Sequence, residues 1–305
     1  MSIAGDIVPV ILAGGRGVRL RPLTSETSPK PFLRLFSKYS LFQETVLRAC
    51  AFEAPVIVTH HTYISYVQEQ LDEIGVTPRA IILEPAHKGT AAAIAMVAFY
   101  LKNQGKVMLV MPSDHVMGGD PDGQFMQCIE QSLEMVDENI VMMGAKPTRA
   151  ETSYGYIAFD NIGDCGPLYK IKEFIEKPNC KKAQSLVKEE ATLWNTGIFV
   201  VRPKVYLRAL KSHESDVYKY SERAFYASEE DAGVYYPAED EFMKIDPVSV
   251  DYAVMERCQN GYVVKMTLFW CDAGTWPQVL RLKMQTILKR VKLSDSSASS
   301  IKKAS

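Results

Sequence analysis

Residues 10–32 read Val10-Ile-Leu-Ala-Gly-Gly-Arg-Gly-Val-Arg-Leu-Arg-Pro-Leu-Thr-Ser-Glu-Thr-Ser-Pro-Lys-Pro-Phe32. An apolar run ends in three glycines within four positions, Gly14, Gly15 and Gly17, followed by Arg19, Arg21 and Lys30, with Arg16 among the glycines. Binding a phosphate requires backbone N–H groups that approach the anion closely, which side chains obstruct, and fixed positive charge beside them. The glycines meet the first requirement, and the four basic residues are candidates for the second. A dinucleotide-binding fold is excluded, because its G-x-G-x-x-G must open a helix and here Pro22, Pro29 and Pro31 interrupt any helix after the turn. A P-loop is excluded by the lack of Gly-Lys-Ser/Thr. What remains is a strand, a glycine turn and a long irregular loop able to wrap a triphosphate. The alternative, on these residues alone, is a plain Gly-rich turn with solvated arginines.

Around this stretch, 305 residues suffice for one large domain or two smaller ones, and 47% hydrophobic residues is ordinary for a globular chain. A formal net charge of −1 gives no reason to expect nucleic acid or an anionic membrane as partner. Cys50, Cys128, Cys165, Cys180, Cys258 and Cys271 are scattered without metal spacing, which reads as a reduced, cytoplasmic protein. The apolar run at 7–13 is short, contains Pro9 and follows Asp6, so no secretory signal is expected; no stretch is long enough to span a bilayer.

Apolar runs at 8–13, 55–59, 80–83, 107–111 and 140–145 predict buried strands, and helical spacing falls between them at 41–52, 63–74, 90–101 and 124–136. Such alternation predicts an α/β fold with a mostly parallel sheet covered by helices on both faces, ligands binding at the carboxyl ends of the strands. The second half is mixed: strands at 156–159, 169–175, 196–201 and 262–269, helices at 181–188, 204–210, 217–227, 250–257 and 277–291. The Ser- and Lys-rich tail 292–305 is expected to be disordered. Asp114 follows a continuous apolar strand, where it can hold Mg²⁺ through oxygen or cap the next turn.

Leu12-Ala13-Gly-Gly-x-Gly-x-Arg19-Leu with Pro29-Lys30-Pro31 resembles the signature of the sugar-1-phosphate nucleotidyltransferases, with Val18 where the family usually has Thr or Ser. The resemblance implies a Rossmann-like, GT-A-like mixed sheet flanked by helices, without the C-terminal β-helix of some relatives. It implies a nucleotide-binding part at about 1–145 and a sugar-binding part at about 146–275 within one catalytic domain spanning 1–291. Nucleotide would be bound by Leu12, Ala13, Gly14, Gly15, Gly17, Arg19, Lys30, Glu84, Gly89 and Asp114. Trp270-Cys-Asp272-Ala-Gly-Thr-Trp276 resembles the family's second carboxylate motif, so Asp114 and Asp272 would share Mg²⁺. Phe174-Ile-Glu176-Lys177-Pro178, Trp194-Asn195-Thr-Gly, Tyr154-Gly155-Tyr and Ser249-Val-Asp251-Tyr-Ala-Val-Met-Glu256 resemble the sugar-phosphate motifs. By that resemblance Gly155, Glu176, Lys177, Asn195 and Asp251 bind sugar phosphate, although Asp251 also has a helix-capping explanation. Arg19, Lys30 and Lys177 would be catalytic.

The stretch Leu83-Glu-Pro-Ala-His-Lys-Gly-Thr-Ala-Ala-Ala-Ile94 resembles the guanylyl branch, and the acidic Glu84 suits guanine, which presents two adjacent donors. The implied reaction is GMP transfer from GTP to mannose 1-phosphate. Gly89 and Arg21 look more like other branches and keep open a glucose-1-phosphate thymidylyl- or uridylyltransferase; a non-catalytic nucleotide-sugar-binding regulator is the alternative of another class. The resemblance is compatible with a homodimer.

Overall fold

The computed structural model describes residues 3–118, 120, 122–160, 168–258 and 261–284. The tail 292–305 and the last residues of the helix expected at 277–291 lie outside them; 276–284 are helical. The strands are β1 (Ile7–Leu12), β2 (Val56–His60), β3 (Ala80–Glu84), β4 (Val107–Pro112), β5 (Val116–Met117), β6 (Ile140–Ala145), β7 (Tyr156–Phe159), β8 (Leu168–Ile175), β9 (Thr192–Val201), β10 (Glu229–Asp231), β11 (Val234–Tyr236), β12 (Gly261–Met266) and β13 (Trp270–Cys271). Eleven form one sheet in the order β10-β11-β3-β2-β1-β4-β9-β6-β12-β8-β7, while β13 and β5 form a separate antiparallel ribbon. The run from β11 to β4 is parallel, as is β6 with β12. β9 runs antiparallel to β4, β6 and β7. The result is the expected mixed α/β sheet, its longest parallel stretch built from four strands of the first half and β11.

The helices are α1 (Leu41–Ala49), α2 (Ile64–Glu73), α3 (Thr90–Leu101), α4 (Gln124–Ser132), α5 (Cys180–Leu186), α6 (Pro203–His213) and α7 (Ser215–Tyr226), with shorter turns elsewhere. α1 begins with a reciprocal capping box between Ser40 and Gln43. α3, Thr-Ala-Ala-Ala-Ile-Ala-Met-Val-Ala-Phe-Tyr-Leu, is apolar all round and accordingly buried, its alanines letting the sheet and neighbouring helices approach closely. Val8, Val10 and Ile82 share one apolar core with α3, α6 and α7; Ile7, Ile11 and Ile81 share another with α1, α2 and α4. No described helix is long and apolar enough to cross a membrane.

Two features position the site. The chain leaves β1 toward β2 and β3 on one side and returns to β4 on the other, creating the crevice at the carboxyl ends where open α/β sheets bind ligands. Ser113, just past β4, closes that crevice by donating both its N–H (3.1 Å) and its hydroxyl (2.7 Å) to the Leu12 carbonyl. β9 is the second feature: its first half pairs with β7 and its second half with β4, changing partner around Gly197 (φ +70°).

Two expected elements differ and one element is new. The helix expected at 250–257 is a turn of α-helix, Val250–Ala253, followed by a 3₁₀ turn, Met255–Arg257, with Val254 off helical geometry (φ −128°) between them. The strand expected at 262–269 ends at Met266, and β13 starts anew to pair with β5. The β10–β11 hairpin was not anticipated; it extends the parallel sheet at β3.

Candidate active site

Between β1 and α1 the chain forms only short 3₁₀ turns, as the prolines dictate. Gly17 has φ +64°, and a Cβ there would lie 2.6 Å from Lys30 Cβ, so the loop can close on itself only with glycine. Thr24 Oγ1 donates to the Gly17 carbonyl at 2.8 Å and fixes the turn. Val18 is 54% exposed at its tip.

This closure buries Lys30, which is 3% exposed. Its Nζ lies 2.8 Å from Asp114 Oδ2 and also donates to the Asp272 backbone carbonyl. One ammonium therefore joins the glycine loop, the end of β4 and the end of β13. Asp272 Oδ1 accepts from Tyr154 OH (2.7 Å) and Gly274 N (3.0 Å), while Oδ2 faces Arg19 Nη2 at 3.8 Å. Gln278 Nε2 donates to Tyr154 OH (2.8 Å), and Gln278 Oε1 accepts from Gly274 N and Thr275 N, taking over the start of helix 276–284. Asp272 is thus no helix cap. Burial pushes the Asp114 carboxyl up, but Lys30 and His115 outweigh it and hold it below its usual value. His115 Nε2 stands 3.6 Å from Asp114 Oδ1, and its Nδ1 accepts from Trp270 Nε1 at 3.3 Å.

Beside this cluster lies a cavity of about 270 Å³ lined by Leu12, Gly14, Gly15, Glu84, Gly89 and Asp114 among others. Glu84 ends β3 and is 6% exposed; burial alone acts on its carboxyl and pushes it up to about 8. A Cβ on Gly14 would come within 3.1 Å of Glu84 Oε2. Gly89 has φ +87°, and a Cβ there would lie 2.2 Å from the Val248 carbonyl oxygen, so the Asn of the guanylyl pattern does not fit this backbone. His60 closes β2, as its place in the sequence suggests, and its ring stacks on His87 at 4.3 Å and 12°. Burial, then His87, His61 and Arg16, lower His60 to about 4, and burial lowers His87 too.

The residues expected to hold sugar phosphate form a second cluster. Asn195 N donates to the Gly155 carbonyl (2.8 Å), Asn195 Nδ2 donates to Asp251 Oδ1 (2.9 Å), and Asn195 Oδ1 accepts from Gly197 N (3.0 Å). Ser249 is the cap of the Val250–Ala253 turn, which frees Asp251 from that duty. Glu176 Oε1 accepts from Lys177, whereas Glu176 Oε2 is buried with no partner among the described residues and lies where a Cβ on Gly155 would be only 2.7 Å away. Burial and the nearby Asp251 push the Glu176 carboxyl up. Lys177 takes φ +45°, which turns its side chain back over Glu176, with Nζ 5.8 Å from the Tyr252 ring centre. A buried carboxylate oxygen without a donor is costly unless a ligand hydroxyl supplies one. Gly197 links the two clusters: a Cβ there would meet Pro112 Cγ at 3.1 Å and His115 Cε1 at 3.7 Å.

The structure therefore gathers Arg19, Lys30, Asp114 and Asp272 at one centre, lines a cavity with Leu12, Gly14, Gly15, Glu84 and Gly89, and gathers Gly155, Glu176, Lys177, Asn195 and Asp251 at a neighbouring one. Ala13, fully buried, lies in the core shared with α1, α2 and α4. Sequence reasoning missed the supports: Tyr154 and Gln278 on Asp272, His115 and Trp270 on Asp114, and the His60–His87 stack. Only tertiary contact brings these together, although Tyr154, His115 and Trp270 each adjoin a recognised motif.

A family model described as nucleotidyl transferase matches residues 8–288. The xanthan biosynthesis protein XanB of Xanthomonas campestris pv. campestris (strain B100) is 35% identical over 285 residues, covering 92% of this chain and 60% of that protein. The mannose-1-phosphate guanylyltransferase RfbM of Salmonella typhimurium is 37% identical over 279 residues, 89% of this chain and 57% of its own. The chain thus spans less than two thirds of these relatives' length. Among solved structures, one described as mannose-1-phosphate geranyltransferase from Thermus thermophilus superposes with a TM-score of 0.79 at 28% identity, covering 91% of this chain and 79% of that one.

Proposed function

Because the chain belongs to the nucleotidyl transferase family, we propose that it transfers GMP from GTP to α-D-mannose 1-phosphate, giving GDP-mannose and pyrophosphate. The observation that carries the choice of base is Glu84, a carboxyl in the wall of the cavity beside the glycine loop, whose ionisation no neighbouring charge or donor eases. Guanine brings two adjacent N–H donors and satisfies a carboxylate there; uracil or thymine brings one donor flanked by acceptors. The named activity of RfbM supports the same choice of sugar and base.

The sugar phosphate is already ionised near pH 7, so its oxygen attacks the α-phosphorus in line without a general base. Catalysis then rests on positioning and on charge placed where it develops. Arg19, largely exposed at the loop, meets the phosphates, and Lys30, held by Asp114 and the Asp272 carbonyl, sets its positive charge beside the reacting phosphates. Lys177 and Asn195 orient the sugar phosphate, and the free Glu176 Oε2 accepts from a sugar hydroxyl.

Asp114 and Asp272 fit a hydrated Mg²⁺. Among the described residues Asp272 Oδ2 has no partner nearer than Arg19 at 3.8 Å, so it is free to ligate, and two carboxylates suit a cation that keeps water and phosphate oxygens as its other ligands. Bound there, it would neutralise phosphate charge. The glucose-1-phosphate reading with dTTP or UTP is favoured by one observation, the glycine enforced at position 89. Pyrophosphate release measured for GTP, ATP, UTP and dTTP, each with mannose 1-phosphate and glucose 1-phosphate, separates the readings. GTP with mannose 1-phosphate is expected to lead; fastest release from a pyrimidine nucleotide, or none from any pair, would refute the proposal.

A further inference from the structure

Successive side chains of a strand point to opposite faces. On β9, Asn195 faces the sugar cluster and its neighbour Trp194 lines a different cavity, of about 560 Å³, roughly twice the volume of the base pocket. Aromatic rings form one wall of this cavity: Tyr154 stands edge-on to Trp194 at 5.2 Å and to Trp270 at 5.1 Å. The indole N–H of Trp194 is buried without an acceptor among the described residues. Four cations, Lys146, Arg149, Lys265 and Arg281, line the cavity, Arg149 paired with Glu151 at 3.1 Å, and among the described residues no carboxylate lines it. The Arg149 guanidinium lies 5.3 Å from the Trp194 ring centre. In a chain of net charge −1, Lys146, Lys265 and Arg281 beside the Glu151-paired Arg149 give this aromatic cavity a local excess of positive charge.

Two of the wall residues reach through to the carboxylates of the active site. Tyr154 OH donates to Asp272 Oδ1 at 2.7 Å, and Trp270 Nε1 donates to His115, which stands beside Asp114. An occupant touching these rings therefore touches what holds Asp272 and His115 in place. We propose that this cavity is a regulatory site for a small molecule carrying a planar ring and an anionic group, and that its occupancy changes turnover through Tyr154 and Trp270. The coupling, though not the binding, rests on the reaction proposed above. Its size matches sites that enclose ligands of that class.

The probe is 8-anilinonaphthalene-1-sulfonate, an aromatic sulfonate, titrated into the full chain. The expected result is a single fluorescent site per chain that persists at saturating GTP and weakens at least tenfold in the Lys265→Glu/Arg281→Glu double variant. Both residues are exposed, so melting temperature and probe-free turnover stay as in the wild type. Saturating probe is expected to change wild-type kcat threefold or more with KM for GTP unchanged, and to leave the variant unaffected at the same concentration. No binding, equal binding by the two proteins, or displacement by GTP overturns the site. Binding as expected with unchanged kcat overturns its regulatory role. Absence of any probe-free turnover instead defeats the proposed reaction, and the charge-reversal comparison still decides the site.

Discussion

Glu84 is the residue whose ionisation does most. Burial raises its carboxyl to about 8, so in the free protein it is protonated at neutral pH, and guanine needs it as a carboxylate. GTP binding should therefore release close to one proton at pH 7, and affinity should strengthen about tenfold per pH unit up to about 8. Calorimetry in two buffers of different ionisation enthalpy measures that proton. The same shift has a consequence for stability. Because the folded value lies above the unfolded one, stability is full below about 4.5 and declines as pH rises toward about 8. At pH 7 the loss is on the order of 3 kcal/mol. Glu84→Gln should abolish this decline and melt higher than wild type above about pH 5, in thermal scans across pH. Gly89→Ala, in contrast, sets a methyl against the Val248 carbonyl oxygen in a left-handed conformation and should cost about 3 kcal/mol or more together with nucleotide binding, read by chemical denaturation and GTP titration.

At the scale of elements, the β13 segment and helix 276–284 hold Asp272 from both sides. Tyr154→Phe removes one of its two donors and leaves Gln278 Nε2 without its nearer acceptor. It should lower kcat about tenfold, the effect of about 1.4 kcal/mol, with KM for GTP little changed. Steady-state kinetics on a variant with a normal circular dichroism spectrum checks this. Elements also show what the sequence made legible. β1, β4 and β6 are continuous apolar runs bounded by turns, and their signal is local. Glu229-Glu-Asp231 has no strand pattern at all and is a strand only because Val234 and Tyr235 pair with Ile81 and Ile82. Asp114, Asp272 and Glu176 could be found because each sits in a motif. The supports of Asp272, Tyr154 directly and Gln278 through Tyr154, act by hydrogen bonds across up to 124 residues of chain, which spacing does not encode.

The whole molecule joins a parallel half that carries the glycine loop to an antiparallel half that carries the sugar cluster, with β9 shared between them. The positive charge that a triphosphate demands is local to the loop, since the chain as a whole carries −1. A divalent cation on Asp114 and Asp272 would complete that neutralisation, so chelation by EDTA should abolish turnover and added Mg²⁺ should restore it. An Asp114→Asn/Asp272→Asn double variant with near-normal kcat would remove the metal assignment. The central claim is that the two halves make one site in which Glu84 reads guanine. Its most direct measurement is the ratio of kcat/KM for GTP to that for UTP, with mannose 1-phosphate, in the wild type and in Glu84→Gln. A ratio strongly favouring GTP that collapses at least tenfold in the variant is expected; a ratio unchanged by the substitution, or one favouring UTP in the wild type, would contradict it.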